Sequence, residues 1–195
     1  MSERCAWCGV DPIYVEYHDT EWGVPEWDSR ALWEKLILDG FQAGLSWITI
    51  LKKRDAFRAG FDDFDPHKVA EYTEADVTRL LDNAGIIRHR GKIEASIGNA
   101  RAWQEIEAKQ GFDSFLWRYV EGAPLQNDIL DKAAIPTQTP LSLQISKDLK
   151  KAGFKFCGPT IVYAFMEAVG MVNDHQITCH RHAAVKKLAI NPNAR

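Results

Sequence analysis

Apolar positions recur at intervals of three and four along most of the chain, and no long stretch alternates strictly between apolar and polar residues. That period turns one face of each segment toward a core and predicts a mostly or wholly α-helical fold. Helices are expected after Asp28 or Ser29 in DSRALWEKLILDGFQAG, after Leu45 in SWITILKKRDAF, and at Thr73, where TEAD has the form of a capping box. Others cover roughly 91 to 109, 112 to 120, 141 to 152 and 159 to 169. Gly44, Gly85, Gly111, Gly153 and Gly170 stand where these runs stop, as helix C-termini prefer.

Two stretches break the pattern. The first thirty residues read as irregular and carry Trp7, Tyr14, Tyr17, Trp22 and Trp27. The segment EGAPLQNDILDKAAIPTQTP, 121 to 140, joins a central helical block to a C-terminal pair of helices and marks a place where two lobes would meet. At 195 residues, the chain is long enough for one substantial core, so residues 1–195 are expected to form a single domain or two closely packed lobes.

Composition narrows the setting. The apolar runs are short and interrupted by charge, and MSERCAWCGVDP lacks the apolar stretch of a signal peptide, so a cytoplasmic protein without a membrane span is expected. In that compartment Cys5, Cys8, Cys157 and Cys179 are thiols or metal ligands rather than disulfides. The net charge of −3 excludes polyanion binding by bulk charge. It does not exclude nucleic acid, because KKR (52 to 54), RHRGK (88 to 92) and KDLKKAGFK (147 to 155) are local basic clusters and charge acts at the contact face. Each cluster alone also reads as a solvated helix end.

The cysteines have histidine company. Cys5 and His18 lie near one end, and NDHQITCH near the other offers His175 and Cys179, whose spacing of four puts both on one face of a helical turn. Two such pairs would make a Cys2His2 zinc site tying the two ends together. Spacing alone leaves Cys8, His180 and His182 as alternative ligands, and leaves open a second reading of unrelated buried thiols and surface imidazoles. Four protein ligands would close the site and make it structural.

In LKKAGFKFCGPTIVYAFMEAVG, 149 to 170, a glycine-bounded turn joins two helices, with Gly158 and Pro159 opening the second. Backbone N–H groups there suit a phosphate, and Lys150, Lys151 and Lys155 supply charge. This is similar to a helix-hairpin-helix grip on a DNA backbone, except that Phe156 stands where the motif has glycine. An ordinary packed helical hairpin is the competing reading. Asp174, beside His175, is read as a residue that fixes the loop rather than one that attacks a sugar.

An extruded base needs flat aromatic faces and a few polar groups for its edge. DGFQAGLSW supplies an acid at Asp39, an amide at Gln42, small residues at Gly40, Ala43 and Gly44 that let a ring approach, and Trp47. Core packing is the ordinary fate of such a tryptophan. An aspartate flanked by Leu38 and Phe41 is costly to bury unpaired, so Asp39 either serves a site or faces water at its helix end.

Long blocks in order, RCAWCGVDPIYVEYHDTEWGVP, LDGFQAGLSWITILKKR, AGIIRHRGKIEASIGNARA and GFKFCGPTIVYAFMEAVGMVNDH with the closing cysteine, resemble the DNA-3-methyladenine glycosylase I family over nearly the whole chain. The resemblance implies an all-α fold of the helix-hairpin-helix glycosylase superfamily with structural zinc on Cys5, His18, His175 and Cys179, leaving Cys8 a bystander. It implies stacking of flipped 3-methyladenine on Trp47, an aromatic pocket completed by Tyr17, Trp7 and Tyr14, base recognition by Asp39, and Leu45 filling the gap in the duplex. Lys155 and Gly158 would contact the DNA backbone. The implied activity is monofunctional hydrolytic release of 3-methyladenine from alkylated double-stranded DNA in base-excision repair, by a monomer, with no lysine nucleophile. A zinc-stapled protein that recognises alkylated DNA without hydrolysis is the alternative. One departure stands out: the family has glutamate where this chain has Asp39, shorter by one methylene, on the order of 1.5 Å of reach.

Overall fold

The computed structural model describes residues 3–188. Asp11 caps α1 (Pro12–Thr20) by accepting from the Ile13 N–H, with Pro12 in the first turn. This helix replaces the irregular backbone expected there, and its buried residues are Tyr17 and His18 rather than an aliphatic stripe. Asp28 caps α2 (Ser29–Gln42), which buries Leu32, Trp33, Leu36, Ile37, Leu38, Asp39, Gly40 and Phe41. The run expected after Leu45 divides into α3 (Trp47–Leu51) and α4 (Arg54–Gly60). At the break, the Lys53 ammonium donates to the carbonyls of Ala84 and Gly85, an anchor that periodicity does not encode.

Next come α5 (Pro66–Ala70) and α6 (Glu74–Asp82), the latter opened by the Thr73/Asp76 capping box. The 21-residue α7 (Arg90–Gln110) and α8 (Phe112–Trp117) form the middle of the molecule. Strand β1 (Leu125–Gln126) precedes α9 (Pro140–Lys151) and α10 (Pro159–Ala168), the hairpin pair. Strand β2 (Val172–Asn173) and α11 (His180–Lys187) complete the order.

Helix α2 packs on α7, α8 and α10, and α9 on α10, around one contiguous core in which Trp33, Phe41, Phe57, Phe61, Phe64, Phe112 and Phe165 are fully buried. The fold is therefore mostly helical, with one small correction to an all-α expectation. β1 runs parallel to β2, pairing Leu125 with Val172 and Gln126 with Asn173, and Ile129 bridges to Gln176. The segment expected to separate lobes is thereby pinned beside His175. Gly170 is required where it stands: its φ is +72°, and a Cβ there would lie 2.5 Å from the Pro25 nitrogen, so only glycine lets α10 end against residues 23–25. Among the described residues, no helix is long and apolar enough to cross a membrane.

Candidate active site and metal centre

The termini meet at four buried side chains. Cys5 Sγ, His18 Nε2, His175 Nδ1 and Cys179 Sγ all lie within 4.8 Å of one another. Cys5 Sγ is 3.4 Å from His175 Nδ1, and Cys179 Sγ is 3.5 Å from His18 Nε2 and 3.7 Å from His175 Nδ1. Ligands about 2.0–2.3 Å from a tetrahedral metal would be separated by roughly 3.3–3.8 Å, and these three separations fit that range. Their surroundings fit too. His18 Nδ1 is 2.8 Å from the Asp19 carboxylate and His175 Nε2 is 3.0 Å from the Trp22 carbonyl, which sets each ring's tautomer with its other nitrogen toward the cluster. The N–H groups of Gln176 and Arg181 donate to the sulfurs of Cys5 and Cys179. Packed together without a cation, the two thiols cannot both ionise: Cys5 is pushed far up and Cys179 far down.

The competing ligands are placed elsewhere. Cys8 is buried with its thiol toward the Gly9 carbonyl, His180 contacts the Glu3 carbonyl, and His182 the Asn127 carbonyl. The cluster also packs against the aromatic residues next to it, with Trp22 4.5 Å from His175 and Trp7 5.3 Å from His18, ring to ring.

Those rings open on a cavity of about 340 Å³ lined by Trp7, Tyr14, Tyr17, Trp22, Asp39, Gln42 and Trp47, together with Lys35, Tyr163, Glu167, Lys132 and residues 135–137. The aromatic residues expected from the sequence therefore converge. Tyr17 lies 5.5 Å from Trp47, and Trp7 5.0 Å from Tyr14, between ring centres. Three buried polar atoms on this wall have no partner among the described residues: Trp7 Nε1, Trp47 Nε1 and Asp39 Oδ2. Two donors and one acceptor left unpaired are costly in an apolar wall. The same groups suit the edge of a flat heterocycle.

Asp39 is only 1% exposed, and its other oxygen accepts from the Lys35 ammonium at 2.5 Å, one helical turn earlier. Burial pushes the Asp39 carboxyl up and the Lys35 ammonium down, each opposed by the other's charge. Lys35 escaped the reading of DGFQAGLSW, although its spacing of four from Asp39 was the available signal. Glu167 was also overlooked; burial, with Asp174 beside it, pushes its carboxyl up to about 9. Asp174 is buried, accepting from Asn127 Nδ2 at 2.6 Å and from the Tyr163 hydroxyl at 2.7 Å, and so braces the loop, as expected.

The glycine directly after Asp39 serves backbone packing. A Cβ on Gly40 would lie 3.3 Å from the Phe156 carbonyl, so Gly40 admits the hairpin turn rather than a base. Lys92 ends α2 by donating to the carbonyls of Phe41 at 2.8 Å and Ala43 at 2.7 Å. The next turn presents Leu45, 42% exposed.

The basic clusters divide. Lys52 pairs with Asp11 and Arg54 with Glu21, so KKR is largely structural, and Lys92 of RHRGK is buried. In the hairpin, Asn99 clamps both backbone groups of Lys155, Gly158 caps α10, and Lys150, Lys151 and Lys155 make no ion pair among the described residues. Phe156 takes φ +55°, a glycine-like conformation at the position where the hairpin motif has glycine.

Comparison with known proteins agrees over nearly the full length. A family model described as methyladenine glycosylase matches residues 7–182. DNA-3-methyladenine glycosylase 1 of Escherichia coli (strain K12) is 55% identical over 178 residues, 91% of this chain and 95% of its own. The DNA-3-methyladenine glycosylase of Haemophilus influenzae (strain ATCC 51907 / DSM 11121 / KW20 / Rd) is 48% identical over 180 residues, 92% of this chain and 97% of its own. A crystal structure of 3-methyladenine DNA glycosylase I superposes with a TM-score of 0.91 at 55% identity, covering 92% of this chain and all of that one. The Staphylococcus aureus 3-methyladenine DNA glycosylase I, studied for recognition of 3-methyladenine, superposes with a TM-score of 0.89 at 43% identity, covering 92% of this chain and 96% of that one.

Proposed function

Because this chain belongs to the methyladenine glycosylase family, we propose that it is a monofunctional DNA glycosylase that extrudes and hydrolytically releases 3-methyladenine from alkylated duplex DNA. The observation that carries the reading is the aromatic cavity with three unpartnered polar atoms, Trp7 Nε1, Trp47 Nε1 and Asp39 Oδ2. Trp47 serves as the stacking platform, with Tyr17, Trp7 and Tyr14 closing the sides. Asp39 Oδ2 accepts from the base edge and favours its positive charge.

Methylation at N3 makes adenine a cation. Breaking the bond from the sugar C1′ to the base returns its electron pair to the ring, so the base leaves neutral and needs no proton. Water adds to C1′ and loses a proton to solvent. The protein's part is to hold the base out of the stack, exclude competing rings and favour the oxocarbenium-like transition state.

In this reading Leu45, exposed in the turn between the cavity residues Gln42 and Trp47, fills the gap left in the duplex. The α9–α10 turn acts as the helix-hairpin-helix grip, its backbone at Gly158 and the Lys155 side chain meeting phosphates. Structural zinc is held by Cys5, His18, His175 and Cys179. It would fix α1, which carries His18 with Tyr17 next to it and Tyr14 one turn away, and so would keep the aromatic wall in shape. The protein works as a cytoplasmic monomer.

Release of free base from methylated duplex DNA tests the activity. Appearance of 3-methyladenine supports it, whereas binding without release at any enzyme concentration favours the damage-binding alternative. Metal analysis of protein prepared without chelator should give one zinc per chain, and none if both Cys5 and Cys179 are serine.

A further inference from the structure

The base site already contains a cation. Lys35 Nζ sits 3.8 Å from the centre of the Trp47 ring and 2.5 Å from Asp39 Oδ1, on the wall of the cavity. An ammonium over an indole face and against a carboxylate makes the two contacts that a cationic base would make with the same residues. A ring stacked on Trp47 needs about the same separation, so it cannot lie on that face while the ammonium remains there.

We propose that Lys35 occupies the base site of the empty enzyme as a competitor that the incoming base must displace from Trp47 and Asp39. This rests on the cavity being the methyladenine site. Its consequence is a threshold on binding. A positively charged base replaces what it breaks, giving Asp39 a new counter-ion and Trp47 a new cationic partner. A neutral purine of the same shape breaks the ion pair and returns only stacking, leaving a buried carboxylate uncompensated. Lys35 thus sets a cost for every ring, which a cation repays through Asp39 and a neutral purine does not.

The surroundings provide somewhere for the displaced side chain. Lys35 also lines a second cavity of about 260 Å³, where Glu21 and Glu34 are paired with Arg54 and Arg58. The Lys35 side chain is 16% exposed and Asp39 is 1% exposed, so the cation is the member of the pair with room to leave. Glu167 shares the first cavity and keeps its proton to about 9, so Asp39 is the anion for which base and lysine compete.

The test uses two small rings that differ in charge: 3,9-dimethyladeninium, a fixed cation, and neutral 9-methyladenine. Their binding to the full chain is read by quenching of tryptophan fluorescence. The wild type should prefer the cation by a hundredfold or more. Lys35→Met should bind both rings at least tenfold more tightly with the preference little changed, because the pair broken in the empty site is common to both, and Lys35→Arg should bind them as the wild type does. If Lys35→Met binds both rings no more tightly than the wild type, the proposal is overturned. Should that variant not fold, lysine side-chain NMR of the wild type decides instead: the cation must move the Lys35 signal away from the Trp47 ring current, and an unmoved signal overturns the idea. Release of 3-methyladenine by the wild type is measured in parallel. No release removes the functional reading and this inference with it, whereas release with ring affinities unchanged in Lys35→Met removes this inference alone.

Discussion

Replacing Asp39 with asparagine keeps the side chain's size and removes its charge. In the native cavity Oδ1 accepts from Lys35 and Oδ2 is unpartnered, so the free oxygen is the one a base would meet. A hydrogen bond to a charged group contributes about 1.5–3 kcal/mol. At 1.36 kcal/mol per tenfold, Asp39→Asn should lower kcat/KM for 3-methyladenine by roughly 10- to 150-fold. The substitution also leaves the Lys35 ammonium without a counter-ion. Breaking a fully buried pair costs about 3–5 kcal/mol, but Lys35 retains a route to solvent and the variant no longer buries a carboxylate, so a loss of about 1–2 kcal/mol in stability is expected. At about 2–4 °C per kcal/mol this is a Tm drop of roughly 2–8 °C. Single-turnover base release from methylated duplex, with a thermal melt on the same preparation, separates the two effects. A folded variant within threefold of wild type in kcat/KM would refute the role given to Asp39.

Three further outcomes are expected. Lys92→Met strips the Phe41 and Ala43 carbonyls of their donor and should cost about 2–3 kcal/mol, read in urea unfolding as a lower midpoint with unchanged slope. Phe156→Gly relieves the left-handed φ of +55° and should stabilise the chain by about 0.5–1 kcal/mol in the same experiment. Glu167 ionises near 4.5 in the unfolded chain but keeps its proton to about 9 when folded. Its contribution therefore favours the folded state at low pH and is lost as pH rises from 4.5 to 9. Glu167→Gln should remove that slope and be the more stable protein at pH 8, by on the order of 2–4 kcal/mol in pH-dependent denaturation.

The parts of the fold that were legible in the sequence are those with a local cause. The α2, α6, α7, α9 and α10 helices follow from apolar spacing, caps and terminal glycines. Helix α1 was missed because its inward positions are aromatic and face a cavity, although Asp11 and Pro12 spelled its start. The role of residues 121–140 depends on pairing with β2, nearly fifty residues away, and nothing local announces it. Basic clusters mislead for a related reason: periodicity does not say that Lys53 caps carbonyls of another loop or that Arg54 belongs to Glu21. The cysteine, histidine and aromatic residues, in contrast, were legible as candidates by type, and the fold supplies their convergence.

Asp39 stands where the family has glutamate, and the two residues bear on each other through Lys35. An added methylene, about 1.5 Å of reach, would let a glutamate extend further across the cavity, but here the acid is held by an ammonium one turn earlier. With the lysine present, the longer acid has to carry the cation with it or release it. Asp39→Glu alone should therefore gain little in kcat/KM. In a Lys35→Met background, where nothing competes for the carboxylate, the same change should raise it. Residues in contact show coupling of about 0.5–3 kcal/mol, a departure from additivity of roughly 2- to 150-fold in the double-mutant cycle. Additive effects would mean that the short acid and the lysine act independently; coupling would mean that they form one device, in which an aspartate suffices because a lysine holds its other oxygen.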